Sequence, residues 1–169
     1  MGLLRTRLDA ILPAARIGGR SVPLAPELFS IMADPRLALG QISEESYSCD
    51  TADGAGKDRQ AALRRLARGV CADLEEIGER SALAIAEQAC QRQKDILAAA
   101  IARQAEEHGL GKVVAAGAGE DFIAEAAAFL GMECVRISER YGREISDVFP
   151  AYAVARLGEM AGLDRQCNP

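Results

Sequence analysis

Few stretches of this chain combine residues that could do chemistry, and the clearest is Lys112-Val113-Val114-Ala115-Ala116-Gly117-Ala118-Gly119-Glu120-Asp121-Phe122. A short apolar run that breaks at two glycines and restarts as a helix lets bare backbone approach a ligand and points amides at an anion or a nucleotide. Gly117 and Gly119 are therefore candidate ligand-binding positions. The dinucleotide fingerprint Gly-x-Gly-x-x-Gly fails at its third glycine, because Phe122 stands three after Gly119. The competing reading is an ordinary strand-to-helix connection. Imidazole chemistry would rest on His108 alone, in Glu106-Glu107-His108-Gly109, where a histidine caps helix C-terminal carbonyls and complements the dipole. Cys49, Cys71, Cys90, Cys134 and Cys167 are odd in number and contain no Cys-x-x-Cys pair. That pattern supports neither a disulfide framework nor a metal site, and most of the five are expected to be small core residues.

The elements that must position these groups can be read from pattern. Residues Ala15 to Pro23 form a hairpin with Gly18-Gly19 at its turn. From Pro26 to about Leu39 the apolar residues keep a rough helical period, with Pro35 expected to kink or split the segment. Gln41 to Lys57 is polar and turn-rich, which reads as an active-site loop or an exposed arm. From Asp58 to Glu107 nearly every residue favours helix, with one break near Gly78 and a fresh N-cap at Ser81. Ala82, Ile85, Ala86, Ala89, Ile96, Leu97, Ala100 and Ile101 make one packing face of the long second helix. After the glycine turn come a helix to about Leu130, a strand at Glu133 to Ile137, and a last helix. Pro150 lies in that helix's first turn, and Ala151, Ala153, Val154, Leu157 and Met160 form its expected buried stripe. The order implies an α/β unit with parallel strands, and so small a sheet suggests further strands from another chain or segment.

Composition narrows the function class. The 169 residues are 49% hydrophobic and 27% charged, the profile of a soluble, helix-rich domain. With 20 basic against 25 acidic residues, the net charge is −5 and no basic block is present. Nucleic acid is not an expected partner. No apolar run approaches a membrane span, and Arg5, Arg7 and Asp9 interrupt any signal-peptide core. No membrane partner is expected, and the expected location is cytoplasmic.

Several stretches together carry a resemblance. They are Gly2-Leu3-Leu4-Arg5-Thr6, Glu27-Leu28-Phe29, Ala33-Asp34 with Leu39-Gly40, Thr51-Ala52-Asp53-Gly54 with Gly56-Lys57, Arg65-Leu66-Ala67-Arg68, Val113 to Gly119, and Pro150-Ala151-Tyr152-Ala153-Val154-Ala155. In this order the chain resembles the C-terminal half of the tetrahydromethanopterin-linked C1-transfer pathway proteins. That branch lies in the hydantoinase A/oxoprolinase group of the actin-like ATPase superfamily. The resemblance implies an α/β fold, the helix-rich C-terminal lobe of an actin-like (ribonuclease H-like) architecture. Residues 1–169 would form one such lobe with a helical insertion at about 58–108. The family's N-terminal lobe and both phosphate-binding turns have no counterpart here, so the chain is expected to be truncated relative to it. Arg7 stands where the family has proline, Ser30-Ile31-Met32 replaces a threonine-rich step, and Pro35 interrupts the following helix. These departures put the helix around Asp34 in question as an active-site wall.

The resemblance also implies a reaction. Archaeal members are similar to the methanofuran-biosynthesis enzyme that joins a furanylmethyl diphosphate to γ-glutamyltyramine, forming an aryl ether and releasing diphosphate. Bacterial members accompany formaldehyde oxidation in methylotrophs. Such a displacement needs cations or amides for the departing diphosphate and a base for the phenol proton. On this reading Arg5, Thr6 and Lys57, with Gly117 and Gly119, hold the phosphates. Glu27, Asp34 and Asp53 are the candidate catalytic carboxylates, Glu27 sitting early in a helix and Asp53 in an Asp-Gly turn. Arg65 and Arg68 share a helix face and would pair with acids such as Glu75 or Asp73 rather than with substrate. No cofactor is implied beyond Mg2+ accompanying a diphosphate or nucleotide. The expected partners are a small-molecule diphosphate, a phenolic acceptor, and a separately encoded N-terminal lobe or a second copy. Two alternatives stand beside this one, an actin-like ATP-dependent hydantoinase/oxoprolinase-type hydrolase and a truncated, non-catalytic interaction module.

Overall fold

The computed structural model describes residues 2–162, which fall into two compact units, one up to Ile96 and one from Leu97 onward. The first unit opens with helix α1 (Leu8–Ile11) and the hairpin β1 (Ala14–Ile17) and β2 (Arg20–Pro23). The strands pair antiparallel from Ala14↔Pro23 to Ile17↔Arg20. Between them Gly18 and Gly19 have φ of 55° and 82°, the pair of positive values that a two-residue hairpin turn demands. The expected hairpin is therefore present.

Helix α2 (Ala33–Ala38) is shorter than the expected span, because Pro26–Phe29 is a bend. Pro35 falls in the first turn of α2, where its missing N–H breaks no intrahelical bond, so the helix is intact rather than kinked. Its start is fastened to the N-terminal segment. The Leu8 amide donates to Ser30 O (3.0 Å), and those of Met32 and Ala33 donate to Thr6 O and Leu4 O (2.9 Å each).

Helix α3 (Arg59–Arg68) starts at Asp58, whose carboxylate accepts the Ala61 amide at 2.9 Å. Helix α4 (Leu74–His108) follows after a turn through Gly69–Asp73. This break was not expected, since the alanine-leucine propensity reads straight through it. Its signal is Asp73-x-x-Glu76, of which the structure shows one half of a capping box, the Glu76 carboxylate accepting the Asp73 amide at 2.8 Å. The break at Gly78 is present, with φ 73° and ψ 157°, and Ser81 lies within α4. Ala82, Ile85, Ala86 and Ala89 of α4 join Leu8, Ile11, Met32, Leu63 and Leu66 in the main core. The expected helix face fades beyond Ala89, since Ile96 is half-buried and Ala100 exposed.

In the second unit, β3 (Lys112–Ala115) and β4 (Glu133–Arg136) are connected by α5 (Glu120–Phe129) and pair in parallel, with Val113 opposite Cys134 and Ala115 opposite Arg136. The expected strand–turn–helix–strand order holds, and the architecture is mixed α/β. Two short helices, α6 (Ile137–Tyr141) and α7 (Arg143–Asp147), were not anticipated, and α8 (Phe149–Met160) closes the unit. Pro150 lies at the start of α8 as expected, but the expected buried stripe does not exist. No α8 residue is buried, and Val154, Leu157 and Met160 are 70%, 64% and 81% exposed. The apolar spacing is real, but no described element of the second unit covers it.

No described helix is long and apolar enough to cross a membrane. The cysteines also depart from expectation, since Cys90 is buried while Cys71 is exposed and Cys49 and Cys134 are intermediate. Cys167 lies outside the described residues.

Candidate functional site

Two buried carboxylates organise the two units. In the first, Asp34 and Arg65 are both fully buried and joined at 2.8 Å between Oδ1 and Nε. The helix position explains the burial of Arg65. It lies three residues beyond Ala62, on the stripe that also contributes Leu63, Leu66 and Ala67 to the core, so its guanidinium must find a partner there. Asp34 accepts three more hydrogen bonds, from Ser30 Oγ (2.9 Å), the Ile31 amide (3.0 Å) and the Tyr47 hydroxyl (2.9 Å). With two donors on each oxygen, its acceptor capacity is filled. Tyr47 is 1% exposed. Burial, reinforced by the neighbouring Asp34 charge and hydrogen bond, pushes its phenol well above the ordinary range.

Arg65 reaches the polar loop with its other end. Nη1 donates to Asp53 Oδ1 (3.1 Å) and to Gly56 O (3.0 Å), and Arg68 Nη1 donates to Asp53 Oδ2 (2.8 Å). The Asp53 carboxylate thus bridges two guanidiniums. Partial burial opposes its charge, but the Ala55 amide and the two arginines outweigh this and hold its carboxyl below the usual range. For Arg65, burial would lower the pKa, and the charges of Asp34 and Asp53 raise it instead. The loop shapes itself around Asp53. Thr51 Oγ1 donates to Ala55 O (2.9 Å), the Ala55 amide donates to Asp53 Oδ1 (3.1 Å), and Gly54 has φ 68°, a conformation a side chain would strain. Lys57 Nζ donates to Tyr47 O at 2.9 Å and sits 5.5 Å from the centre of that ring.

The structure therefore gathers Asp34, Asp53 and Lys57 around Arg65, Arg68 and Tyr47. The two arginines do pair with acids, but the acids are Asp34 and Asp53 rather than Glu75 or Asp73. Arg5 is exposed, and Thr6 exchanges hydrogen bonds with Gly2 (3.0 and 2.9 Å). Their backbone runs beside the start of α2 through Thr6 O and Leu4 O. Glu27 departs from expectation. It is exposed in the bend, not in a helix, and its charge acts on Arg7. Tyr47, Ser30 and Arg65 went unrecognised as a unit. The available signal was an arginine on the apolar stripe of α3.

In the second unit, Gly117 has φ 82° and its amide donates to Ser146 Oγ at 3.0 Å. The Ser146 and Ser138 hydroxyls donate to the fully buried Glu120 carboxylate, and the Ser138 amide adds a bond at 3.2 Å. Burial opposes ionisation of Glu120, but these hydrogen bonds win and hold its carboxyl below the usual range. Gly119 is the N-cap of α5 and accepts the Ile123 amide at 2.9 Å. Asp121 pairs with Arg136 and, at 3.6 Å, with Arg143. The glycine turn is thus closed by its own helix's first carboxylate.

Mg2+ fits the first-unit cluster poorly. Asp34 has no acceptor position left, and both Asp53 oxygens face arginines, whereas Mg2+ is held through carboxylates available to it alongside substrate phosphates.

A sequence profile described as hydantoinase/oxoprolinase matches residues 2–161. The chain belongs to the hydantoinase/oxoprolinase family. This bears out the resemblance drawn from its motifs. Among its relatives is a (4-{4-[2-(gamma-L-glutamylamino)ethyl]phenoxymethyl}furan-2-yl)methanamine synthase of Methanocaldococcus jannaschii. It is 34% identical over 157 residues, which cover 93% of this chain and 47% of that protein. A synthase of the same name from Methanococcus vannielii is 30% identical over 161 residues, covering 93% of this chain and 72% of that protein. The chain therefore spans about half the length of the first relative it matches.

Proposed function

We propose that this hydantoinase/oxoprolinase family member acts in furan-cofactor biosynthesis, in the step that makes an aryl-methyl ether. The product named for the two relatives joins a phenol oxygen to a furanylmethyl carbon. The observation that carries the reading to this chain is the bridging of Arg65 and Arg68 by Asp53, with Lys57 held on the carbonyl of Tyr47, whose hydroxyl shares Asp34 with Arg65. Cations suited to a departing diphosphate belong to one cluster with a carboxylate that can take the phenol proton once the arginines release it.

In this reading the phenol oxygen gives its proton to Asp53 and attacks the furanylmethyl carbon. The bond from that carbon to diphosphate oxygen breaks, and diphosphate departs with the electron pair, held by Arg65, Arg68 and Lys57. Asp34, its acceptor positions filled, positions Arg65 and Tyr47 rather than taking a proton. Arg5 and Thr6 belong to the segment fastened beside α2, and Gly117 and Gly119 to a second ligand-facing turn. The corresponding architecture is one lobe of an actin-like pair, the other lobe being supplied by the same or another polypeptide. The test is to incubate the chain, with an N-terminal partner lobe, with a furanylmethyl diphosphate and γ-glutamyltyramine. Ether appearing by mass spectrometry with equimolar diphosphate supports the reading, and its absence from folded, associated lobes sinks it.

The family description, hydantoinase/oxoprolinase, favours a second reading, which we take to be an ATP-dependent hydrolase of cyclic amides. ATP turnover stimulated by a hydantoin or oxoproline would select it, and calorimetry showing no nucleotide binding would remove it.

A further inference from the structure

We propose that the Arg65–Arg68 pair is a binding site for a phosphate-class oxyanion, that Asp53 occupies it in this structure, and that the 51–56 loop withdraws Asp53 when the anion arrives. The proposal rests on the reaction above for the identity of the ligand, and on geometry for the site. Asp53 sits as a bound oxyanion would, one oxygen at 3.1 Å from Arg65 Nη1 and the other at 2.8 Å from Arg68 Nη1. Arg65 Nη2 is buried and has no hydrogen-bond partner among the described residues. An orphaned guanidinium nitrogen in a protein interior is expensive, and it completes the end of the fork that Nη1 begins.

Both partners of Nη1, the Asp53 carboxylate and the Gly56 carbonyl, come from the same loop. Nε, by contrast, is fixed by Asp34 on α2. Withdrawal of the loop would therefore free Nη1 and Nη2 together while leaving the guanidinium in place, a bidentate receptor for two phosphate oxygens. The loop is built to move as a piece. Residues 53–58 are exposed, Gly54 and Gly56 flank Ala55, and the Asp53–Ala55 bond is internal to the loop. Charge favours the exchange. With Asp53 in place, two arginines face two carboxylates; without it they face Asp34 alone, and one negative charge of an incoming phosphate group restores the balance. The freed Asp53, no longer held by guanidinium charge, is then the carboxylate that takes the phenol proton.

The experiment titrates the full chain with pyrophosphate, orthophosphate and ATP by calorimetry, in the wild type, Asp53→Asn and Asp53→Asn/Arg68→Gln. Asp53→Asn keeps an acceptor for the Ala55 amide and removes the competing charge. Pyrophosphate binding at least tenfold tighter in Asp53→Asn than in the wild type, and lost again on adding Arg68→Gln, is the expected result. Tightening confined to ATP would assign the site to a nucleotide, and tightening confined to orthophosphate to a single phosphoryl group; either overturns the diphosphate identity. Unchanged affinity in Asp53→Asn, or tightening that survives Arg68→Gln, overturns the site. In the wild type, carbon NMR should show the Asp53 carboxyl titrating at higher pH with pyrophosphate than without it, a shift that a purely structural Asp53 would not give. Ether formation without pyrophosphate binding would overturn this site and leave the reaction standing, whereas binding without ether formation would do the reverse.

Discussion

Replacing Arg65 by methionine leaves Asp34 buried with its other three donors but without its countercharge. Removing one member of a buried ion pair costs about 3–5 kcal/mol, because the remaining charge cannot reach water. A unit the size of the first one is stable by roughly 5–14 kcal/mol, at about 0.05–0.15 kcal/mol per residue, so Arg65→Met removes a large share. With a urea slope of about 1.5 kcal/mol per molar, the midpoint should fall by about 2–3 M. Asp34→Ala should be at least as damaging, since it also strands the Ser30 hydroxyl, the Ile31 amide and the Tyr47 hydroxyl, at about 1–3 kcal/mol each when buried. The informative variant is the double one. If the two side chains act through each other, Asp34→Ala/Arg65→Met should be less destabilised than the sum of the singles by about 2–3 kcal/mol. Circular dichroism would follow the urea transition, and hydrogen exchange at the Ile31 amide would report the unit containing the pair. Additivity within about 0.5 kcal/mol would refute the reasoning, as would a midpoint shift below about 0.5 M for Arg65→Met.

The remaining expectations concern pH and surface. Tyr47 has its folded pKa raised by burial and Asp34. Its share of stability should therefore be fully present below about pH 10, the unfolded value, and lost as pH rises beyond it. The gap in urea midpoint between wild type and Tyr47→Phe should be constant from pH 7 to about 9.5 and narrow by pH 11; a gap that stays constant to pH 11 contradicts the assignment. Leu157→Glu on α8 should change stability by no more than about 0.5 kcal/mol, because the side chain already faces solvent. Thermal denaturation showing a loss above about 1.5 kcal/mol would mean that something covers that face.

How much was legible in the sequence depended on whether the deciding interaction was local. The Gly18-Gly19 hairpin and the Val113–Gly119 strand and turn follow from residues adjacent in the chain, and each stands where expected. The α8 stripe shows the limit of periodicity, which identifies an apolar face but not what meets it. Asp34 and Asp53 were recognisable as candidates, yet their chemistry is set by partners far along the chain. Arg65 lies 31 residues from Asp34, and Ser146 lies 26 residues from Glu120. No spacing rule announces such pairs. Only the placement of a charged side chain on the buried stripe of α3 could have shown that Arg65 needed an internal anion.

The two units hold a buried carboxylate by different means, a charged guanidinium in one and neutral hydroxyls in the other, and this separates their glycine loops as anion sites. In each, a fully buried carboxylate fixes a side chain that in turn fixes a glycine-containing loop: Asp34 through Arg65 to Gly56, and Glu120 through Ser146 to Gly117. At Gly117 the fixing groups are hydroxyls, and an arriving anion meets Glu120 and Asp121 at the start of α5, where those carboxylates already complement the helix dipole. At Gly56 the fixing groups are guanidiniums, already holding an anion that the loop itself supplies. An incoming phosphate there exchanges one carboxylate for another oxyanion and keeps the arginine fork satisfied. At Gly117 it would have to take the amide from Ser146 Oγ beside the buried Glu120 carboxylate, whose like charge opposes it in a dry interior. On the proposed reading, the strand-and-glycine turn that stands out in the sequence is the poorer anion site in its folded form. The better one, on that reading, is the polar loop, and only the burial of Arg65 points to it.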